Sequence, residues 1–153
     1  MPYDEHDVAL MHLALDEAER GARGGEVPVG AIIEYDGKVI ARAHNQPIGL
    51  NDPTAHAEIL AIRAAAQSLG SYRLGGAALY VTLEPCPMCM GAIIQARLAR
   101  VKFGVRDPKA GAAGSVYDFG RDGWLNHWVE IYPELMASEC AQILARFFAA
   151  RRC

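Results

Sequence analysis

Two short segments, Thr54-Ala-His-Ala-Glu58 and Pro85-Cys-Pro-Met-Cys89, constrain this chain more than any other feature. They carry one imidazole, His56, and two thiols, Cys86 and Cys89, with Glu58 two residues from the imidazole. These are zinc-ligand types. A structural zinc is closed by four protein side chains, whereas a catalytic zinc takes three and keeps a position for water. Pro87 suits the first position of a helix, where its missing N–H is of no consequence. Cys86 then becomes the N-cap, and Cys89 faces the same point just off the helix start. The positive end of a helix stabilises thiolates there. His56 and Glu58 lie about 200° apart around a helix, so they converge only on a point beyond its N-terminal end. The fold must therefore bring two helix starts face to face.

The rest of the chain supplies the elements for that arrangement. Val8, Met11, Leu15, Ala18 and Ala22 follow helical spacing up to Gly24-Gly25. Val27 to Tyr35 and Val39 to His44 read as strands joined by Asp36-Gly37, a strong hairpin signal. Residues 45–54 read as a loop. A second helix carries Ala55, Ile59, Ile62, Ala66 and Leu69 on one face and stops at Gly70. Ala77 to Leu83 is almost wholly apolar, as expected of a strand covered on both faces. A third helix runs from Pro87 to about Ala96, and strands follow at Val101 to Val105 and Trp128 to Tyr132. The last helix starts at Pro133, with Met136, Cys140, Ile143, Leu144 and Phe147 on one stripe. Helices alternating with strands predict one α/β domain over residues 1–153, a three-layer α/β/α arrangement around a five-stranded mixed sheet.

At 153 residues and 52% apolar, the chain can bury a substantial core without staples. No run approaches the roughly 20 apolar residues of a membrane span. The first residues, with Asp4, Glu5 and Asp7, are too acidic for a signal peptide. Four cysteines without a secretory signal do not make a disulfide framework, which points to a reducing, cytoplasmic compartment. The net charge of −3 argues against a polyanion partner, but its distribution is uneven. Residues 1–20 hold six acids against Arg20, whereas residues 97–109 hold Arg97, Arg100, Lys102, Arg106 and Lys109 against Asp107. Arg146, Arg151 and Arg152 add to the C-terminus.

The bland alternatives are specific. A fourth ligand would make the zinc structural, and Cys140, Cys153, His44 and His127 are the candidates. Cys140 falls on an apolar helical stripe, which suits an inert buried thiol. If the fourth position stays open, zinc lowers the pKa of bound water to about 7, and Glu58 is placed to move protons. The chemistry is then addition of hydroxide to a carbon bearing an amino group, with loss of ammonia.

Together these segments resemble the zinc-dependent cytidine/adenosine deaminase superfamily, and within it the tRNA-specific adenosine deaminases of bacteria. Further matching segments are Glu26-Val-Pro-Val-Gly-Ala31, Asn45-Gln-Pro-Ile-Gly49, Leu79-Tyr-Val-Thr-Leu-Glu-Pro85, Phe103-Gly-Val-Arg-Asp107 and Gly111-Ala-Ala-Gly-Ser115. The resemblance implies a cytidine-deaminase-like fold and one zinc per chain on His56, Cys86 and Cys89. It implies Glu58 as the catalytic proton shuttle, and conversion of the wobble adenosine of an arginine tRNA anticodon loop to inosine. The implied substrate contacts are Asn45, Val27, the backbone at Ala57 and Leu83–Glu84, Asp107, Phe148, Arg151 and Arg152. Four have a second reading: Asn45 and Asp107 as turn formers, and Val27 and Phe148 as core. A homodimer is implied too, with Met88, Met90, Ile93 and Ile94 as an interface or as plain core.

A deaminase of a free base or nucleoside, of guanine or cytosine type, would use the same zinc chemistry and is the competing reading. A non-catalytic zinc module is the third. Two departures bear on the RNA reading: the C-terminus lacks a long basic tail, and Trp124 and Trp128 flank Asn126-His127 where smaller residues are common in the family.

Overall fold

The computed structural model describes residues 3–121 and 127–151. Its centre is the strand β3, Ala78–Leu83, buried on both faces as its apolar run predicts. Five strands pair in the order β2-β1-β3-β4-β5, with β1 at Gly30–Tyr35, β2 at Lys38–His44, β4 at Arg100–Val105 and β5 at Glu130–Tyr132. The β1–β2 and β1–β3 pairs are antiparallel, and β3–β4 and β4–β5 are parallel, so the sheet is mixed. Asp36 and Gly37 both take positive φ, 52° and 76°, as the hairpin signal requires.

Strand alternation sorts the core into two layers. Ala31, Ile33, Leu79 and Val81 pack with Ala57, Ala61, Ala65, Met90 and Ile93 of the helices α3 (Ala57–Leu69) and α4 (Pro87–Gln95). Ile32, Ala78 and Tyr80 pack on the opposite face with Leu10, Met11, Ala14 and Cys140 of α1 (Glu5–Arg23) and α5 (Ala137–Ala150). The α/β/α layering is the one expected from the order of elements.

The helix α1 opens with a capping box, Asp7 N–H donating to Asp4 and Asp4 N–H to Asp7. The Asp7 carboxylate also accepts from the Tyr80 hydroxyl at 2.7 Å and from Lys102 at 2.6 Å. One buried acid thus fastens the helix start to β3 and β4. Gly30 lets the same helix lie against β1, since a Cβ there would stand 1.8 Å from the Ala14 carbonyl oxygen.

Several boundaries differ from the sequence reading. Residues 27–29 lie outside β1, because Pro28 has no N–H for the ladder and Val29 N–H turns back to Val27. The 45–54 loop contains a short helix α2, Pro47–Leu50, with Pro47 in the first turn. β5 begins at Glu130 rather than Trp128, and α5 at Ala137 rather than Pro133. Glu134 and Met136 take left-handed φ values of 64° and 55°, which a continuing helix excludes. Between them Leu135 N–H bonds the Phe103 carbonyl, and its side chain is buried.

The face of α3 also differs. Its fully buried stripe is Ala57, Ala61 and Ala65, with Ile59, Ile62, Ala66 and Leu69 only half-buried. Small side chains let the helix approach the sheet, and the larger ones are left at its flank. Met90, Ile93 and Ile94 of α4 are buried in this chain's own core, so of the interface residues expected on that helix only Met88 is exposed. Among the described residues no helix is long and apolar enough to cross a membrane.

Candidate metal centre and substrate groove

Two parallel structures deliver the metal-ligand side chains. β2 leads through α2 to the start of α3, where His56 is the N-cap, and β3 leads to α4, where Cys86 is the N-cap. Neither side chain caps its own helix, so both are free to point beyond it. His56 Nδ1 stands 3.6 Å from Cys86 Sγ and 3.4 Å from Cys89 Sγ. All three donor atoms lie within 4.8 Å of one another.

Those separations are those of zinc ligands. With Zn–N near 2.0–2.1 Å and Zn–S near 2.3 Å, a tetrahedron has nitrogen–sulfur edges of about 3.5 Å. The donor set and its spacing therefore fit zinc. No fourth protein donor joins them among the described residues. His44 Nδ1 contacts the Asn45 carbonyl at 3.0 Å, His127 Nε2 contacts the Leu98 carbonyl at 2.7 Å, and Cys140 is buried against Leu135. Cys153 lies outside the described residues.

The protonation pattern suits a metal as well. A bond from the Cys89 thiol, and a further bond with His56, pull the Cys86 thiol down to about 4. The same Cys86 thiolate, together with burial, holds the proton on Cys89. His56 is pushed up by its bond to Cys86. The Cys89 proton is the one that a bound metal displaces, since thiolate is the ligating form.

Glu58 is 4% exposed, one turn-quarter inside α3, and stands outside the three-donor group. Burial raises its carboxyl to about 7, with the nearby His56 opposing. A carboxyl near neutrality can both take and give a proton at working pH.

Asn45 reaches across from the end of β2. Its Oδ1 accepts from Ala57 N–H at 2.8 Å, so it caps α3 in place of the N-cap side chain that faces the metal. The Ala57 amide is therefore spent on Asn45, and the Ala57 side chain is buried.

Two grooves share Val27, and none of His56, Glu58, Cys86 and Cys89 lines either of them. One, about 430 Å³, is lined by Val27, Leu83, Val105, Asp107, Leu144 and Phe148, among others, with Arg106 and Lys109 at its edge. The other, about 300 Å³, is bordered by Val27, Asn45, Ile48, Phe147 and Arg151. Phe147 is buried and Phe148 is 44% exposed, as the helical stripe predicts. The Arg151 guanidinium lies 3.5 Å from the Phe147 ring centre. Asp107 serves as a turn former too, accepting from the Lys109 and Ala110 amides. Arg152, Trp124 and Asn126 lie outside the described residues, and Trp128 is 64% exposed.

The basic run 97–109 is not one patch. Arg97 and Arg100 precede or begin β4, Lys102 is paired with Asp7, and only Arg106 and Lys109 reach the groove. Two side chains escaped the sequence reading altogether in this role. Glu26, 4% exposed, accepts from Ile48 N–H at 3.1 Å and Gly49 N–H at 2.7 Å, which holds α2 beside the site. Glu84 turns its carboxylate inward onto the 107–115 loop. No periodicity marks a carboxylate that bonds backbone amides more than twenty residues away.

The cytidine and deoxycytidylate deaminase zinc-binding region matches residues 4–105. A tRNA-specific adenosine deaminase of Agrobacterium fabrum is 49% identical over 94% of this chain and 94% of its own length. One of Haemophilus influenzae is 45% identical over 97% of this chain and 86% of its own. A solved structure from studies of A-to-I editing by tRNA:A34 deaminases at the wobble position of transfer RNA superposes with a TM-score of 0.87 at 49% identity, covering 89% of this chain and 99% of that one. Guanine deaminase of Bacillus subtilis superposes with a TM-score of 0.63 at 34% identity, covering 95% and 93%.

Proposed function

The chain belongs to the cytidine and deoxycytidylate deaminase zinc-binding family and, within it, to the tRNA-specific adenosine deaminases, and on that footing we propose that it converts the wobble adenosine of an arginine tRNA to inosine. The observation that carries the hydrolytic chemistry is the His56–Cys86–Cys89 triangle, sized for zinc, with a buried Glu58 at its side. Higher identity and closer superposition with the tRNA enzymes than with the guanine deaminase favour the RNA substrate.

Zinc held by these side chains supplies a nucleophilic oxygen from water at neutral pH. Glu58 takes a proton from the attacking water and delivers it to N1 of the purine. It then passes a second proton to the amino group leaving from C6, so that adenosine and water become inosine and ammonia. The Asn45 amide nitrogen is the donor that orients the nucleotide, while Oδ1 keeps α3 in place. Val27 and Leu83, with the backbone through Glu84, form apolar walls for the base. Ala57 contributes the helix start that Asn45 caps and that carries Glu58. Asp107, Phe148, Arg151 and Arg152 meet the flanking nucleotides, the aromatic ring by stacking and the guanidinium groups at phosphates. A single-stranded loop base enters such a site at low unstacking cost.

The whole chain acts as a single deaminase domain in the cytoplasm, as a homodimer. The half-buried Ile62 and Ala66 of α3 and Ala92 of α4, which border one groove, support an interface on that flank rather than on the buried side of α4. The test is direct: purified protein holds about one zinc per chain and forms inosine in an arginine tRNA anticodon stem-loop, whereas Glu58→Ala keeps the zinc and loses the activity. Tight zinc with guanine consumed and no inosine on any stem-loop would transfer the assignment to a free-base deaminase.

A further inference from the structure

We propose that Glu84 is a positioning residue, whose carboxylate sets the 107–115 loop and thereby how tightly the RNA is held rather than how fast the bound adenosine reacts. The inference rests on the RNA-deaminase reading above for its kinetic part, and on geometry alone for its structural part. Glu84 is 2% exposed. Its Oε1 accepts from Asp107 N–H at 3.0 Å and from the Ser115 hydroxyl, and its Oε2 from Ala113 N–H at 3.0 Å and Ser115 N–H at 3.1 Å. These partners are uncharged. A buried carboxylate is costly unless its oxygens are fully hydrogen-bonded, and here both oxygens are used on one loop.

The start of that loop lines the groove: Asp107, Pro108 and Lys109 border the 430 Å³ groove together with Leu83 and Phe148. The loop's Ala112 N–H bonds the Pro85 carbonyl at 2.8 Å, one residue before Cys86. Glu84 therefore locks the groove wall to the strand end that also launches the metal-bearing helix. The fit leaves no slack: a Cβ on Gly111 would stand 2.4 Å from Glu84 Cδ. Glutamine at position 84 would turn one acceptor into an amide donor facing N–H groups, breaking the pattern at nearly constant volume.

The test uses zinc-loaded Glu84→Gln and Ser115→Ala proteins, amide hydrogen exchange, and steady-state deamination of an anticodon stem-loop. Both variants are expected to retain one zinc per chain and to exchange faster across residues 107–115. For Glu84→Gln, KM rises about tenfold or more, as for a displaced positioning contact, and kcat stays within about threefold of the parent. Ser115→Ala moves the same way by less, and the double variant falls short of the product of the two effects because both act on one set of bonds. Loop amides as protected as in the parent would overturn the proposal. So would zinc loss, or a fall in kcat at constant KM. Should Glu84→Gln fail to fold, Ser115→Ala and its KM carry the decision. A parent protein that forms no inosine removes the RNA reading instead, and exchange still decides whether Glu84 holds the loop.

Discussion

Individual residues in this chain carry more than one duty, and Asp7 is the clearest case. It completes the α1 capping box while binding Tyr80 and Lys102. Burial alone would raise its carboxyl, but the Lys102 and Tyr80 bonds and the capping bond outweigh it and leave the group below its ordinary 3.8. A depressed carboxyl stabilises the fold above its unfolded value and loses that contribution as pH falls through the lower folded value. Asp7→Asn should therefore cost about 3 kcal/mol at pH 7, where it leaves Lys102 without its counter-charge. The deficit should shrink when urea midpoints are compared below pH 4. A deficit that stays constant from pH 7 to pH 3 would deny the charge its part. Asn45 is the second case, since it caps α3 through the Ala57 amide and also borders the groove. Asn45→Ala should lower stability by about 1 kcal/mol and also reduce inosine formation, read by thermal melting and by the stem-loop assay. Activity lost with the melting temperature unmoved would show the cap to be unimportant.

Elements were legible wherever a local rule fixed them. Pro87 and the Cys-x-x-Cys spacing marked the start of α4, Asp36-Gly37 marked the hairpin, and the apolar run marked β3 as central. The reading failed where a remote contact overrode a local pattern. Large apolar residues marked only the flank of α3's buried face, because closeness to the sheet selects alanine rather than isoleucine at its centre. The start of α5 slid to Ala137 because Leu135 is drawn into β4's hydrogen bonding. Close packing of elements also yields a sharp test. Gly30→Ala would drive a methyl into the Ala14 carbonyl and the Ala18 amide, both backbone, so neither can swing aside. It should destabilise the protein by about 3 kcal/mol or prevent soluble folding. A variant that melts like the parent would mean that α1 is not held where it lies.

At the scale of the whole molecule, the proposed function requires an acidic protein to bind an anion. The net charge of −3 is offset locally by Lys109 and Arg151 at the grooves, and by Arg106, which a phosphate would have to draw from its 3.2 Å pairing with Glu134. A few phosphate contacts to a single-stranded loop give a shallow salt dependence, with log K against log salt falling at a slope of about −2 for three contacts. A slope near zero in a titration of the stem-loop would point to a small uncharged substrate. Metal removal acts on the whole fold too, because the centre joins two helix starts that follow β2 and β3, strands separated by β1. A ligand at about 100 times its Kd stabilises by about 2.7 kcal/mol, so chelation should lower the melting temperature, and added zinc should restore it. An unchanged melt after complete zinc removal would mean that the two helix starts are held without it.

By itself the sequence determined the chemistry. Imidazole, paired thiols and a neighbouring carboxyl are identities, and their spacing against the helical repeat already demanded a centre lying off two helix ends. Only the tertiary structure decided that His44, His127 and Cys140 stay away from that centre, that the basic run 97–109 is divided along β4, and that Glu26 and Glu84 grip the loops beside the grooves. The physical reason is range. Caps, turns and motif spacing are set by neighbours along the chain, whereas a buried carboxylate finds its donors, and a charge its surroundings, only after strands distant in sequence have paired.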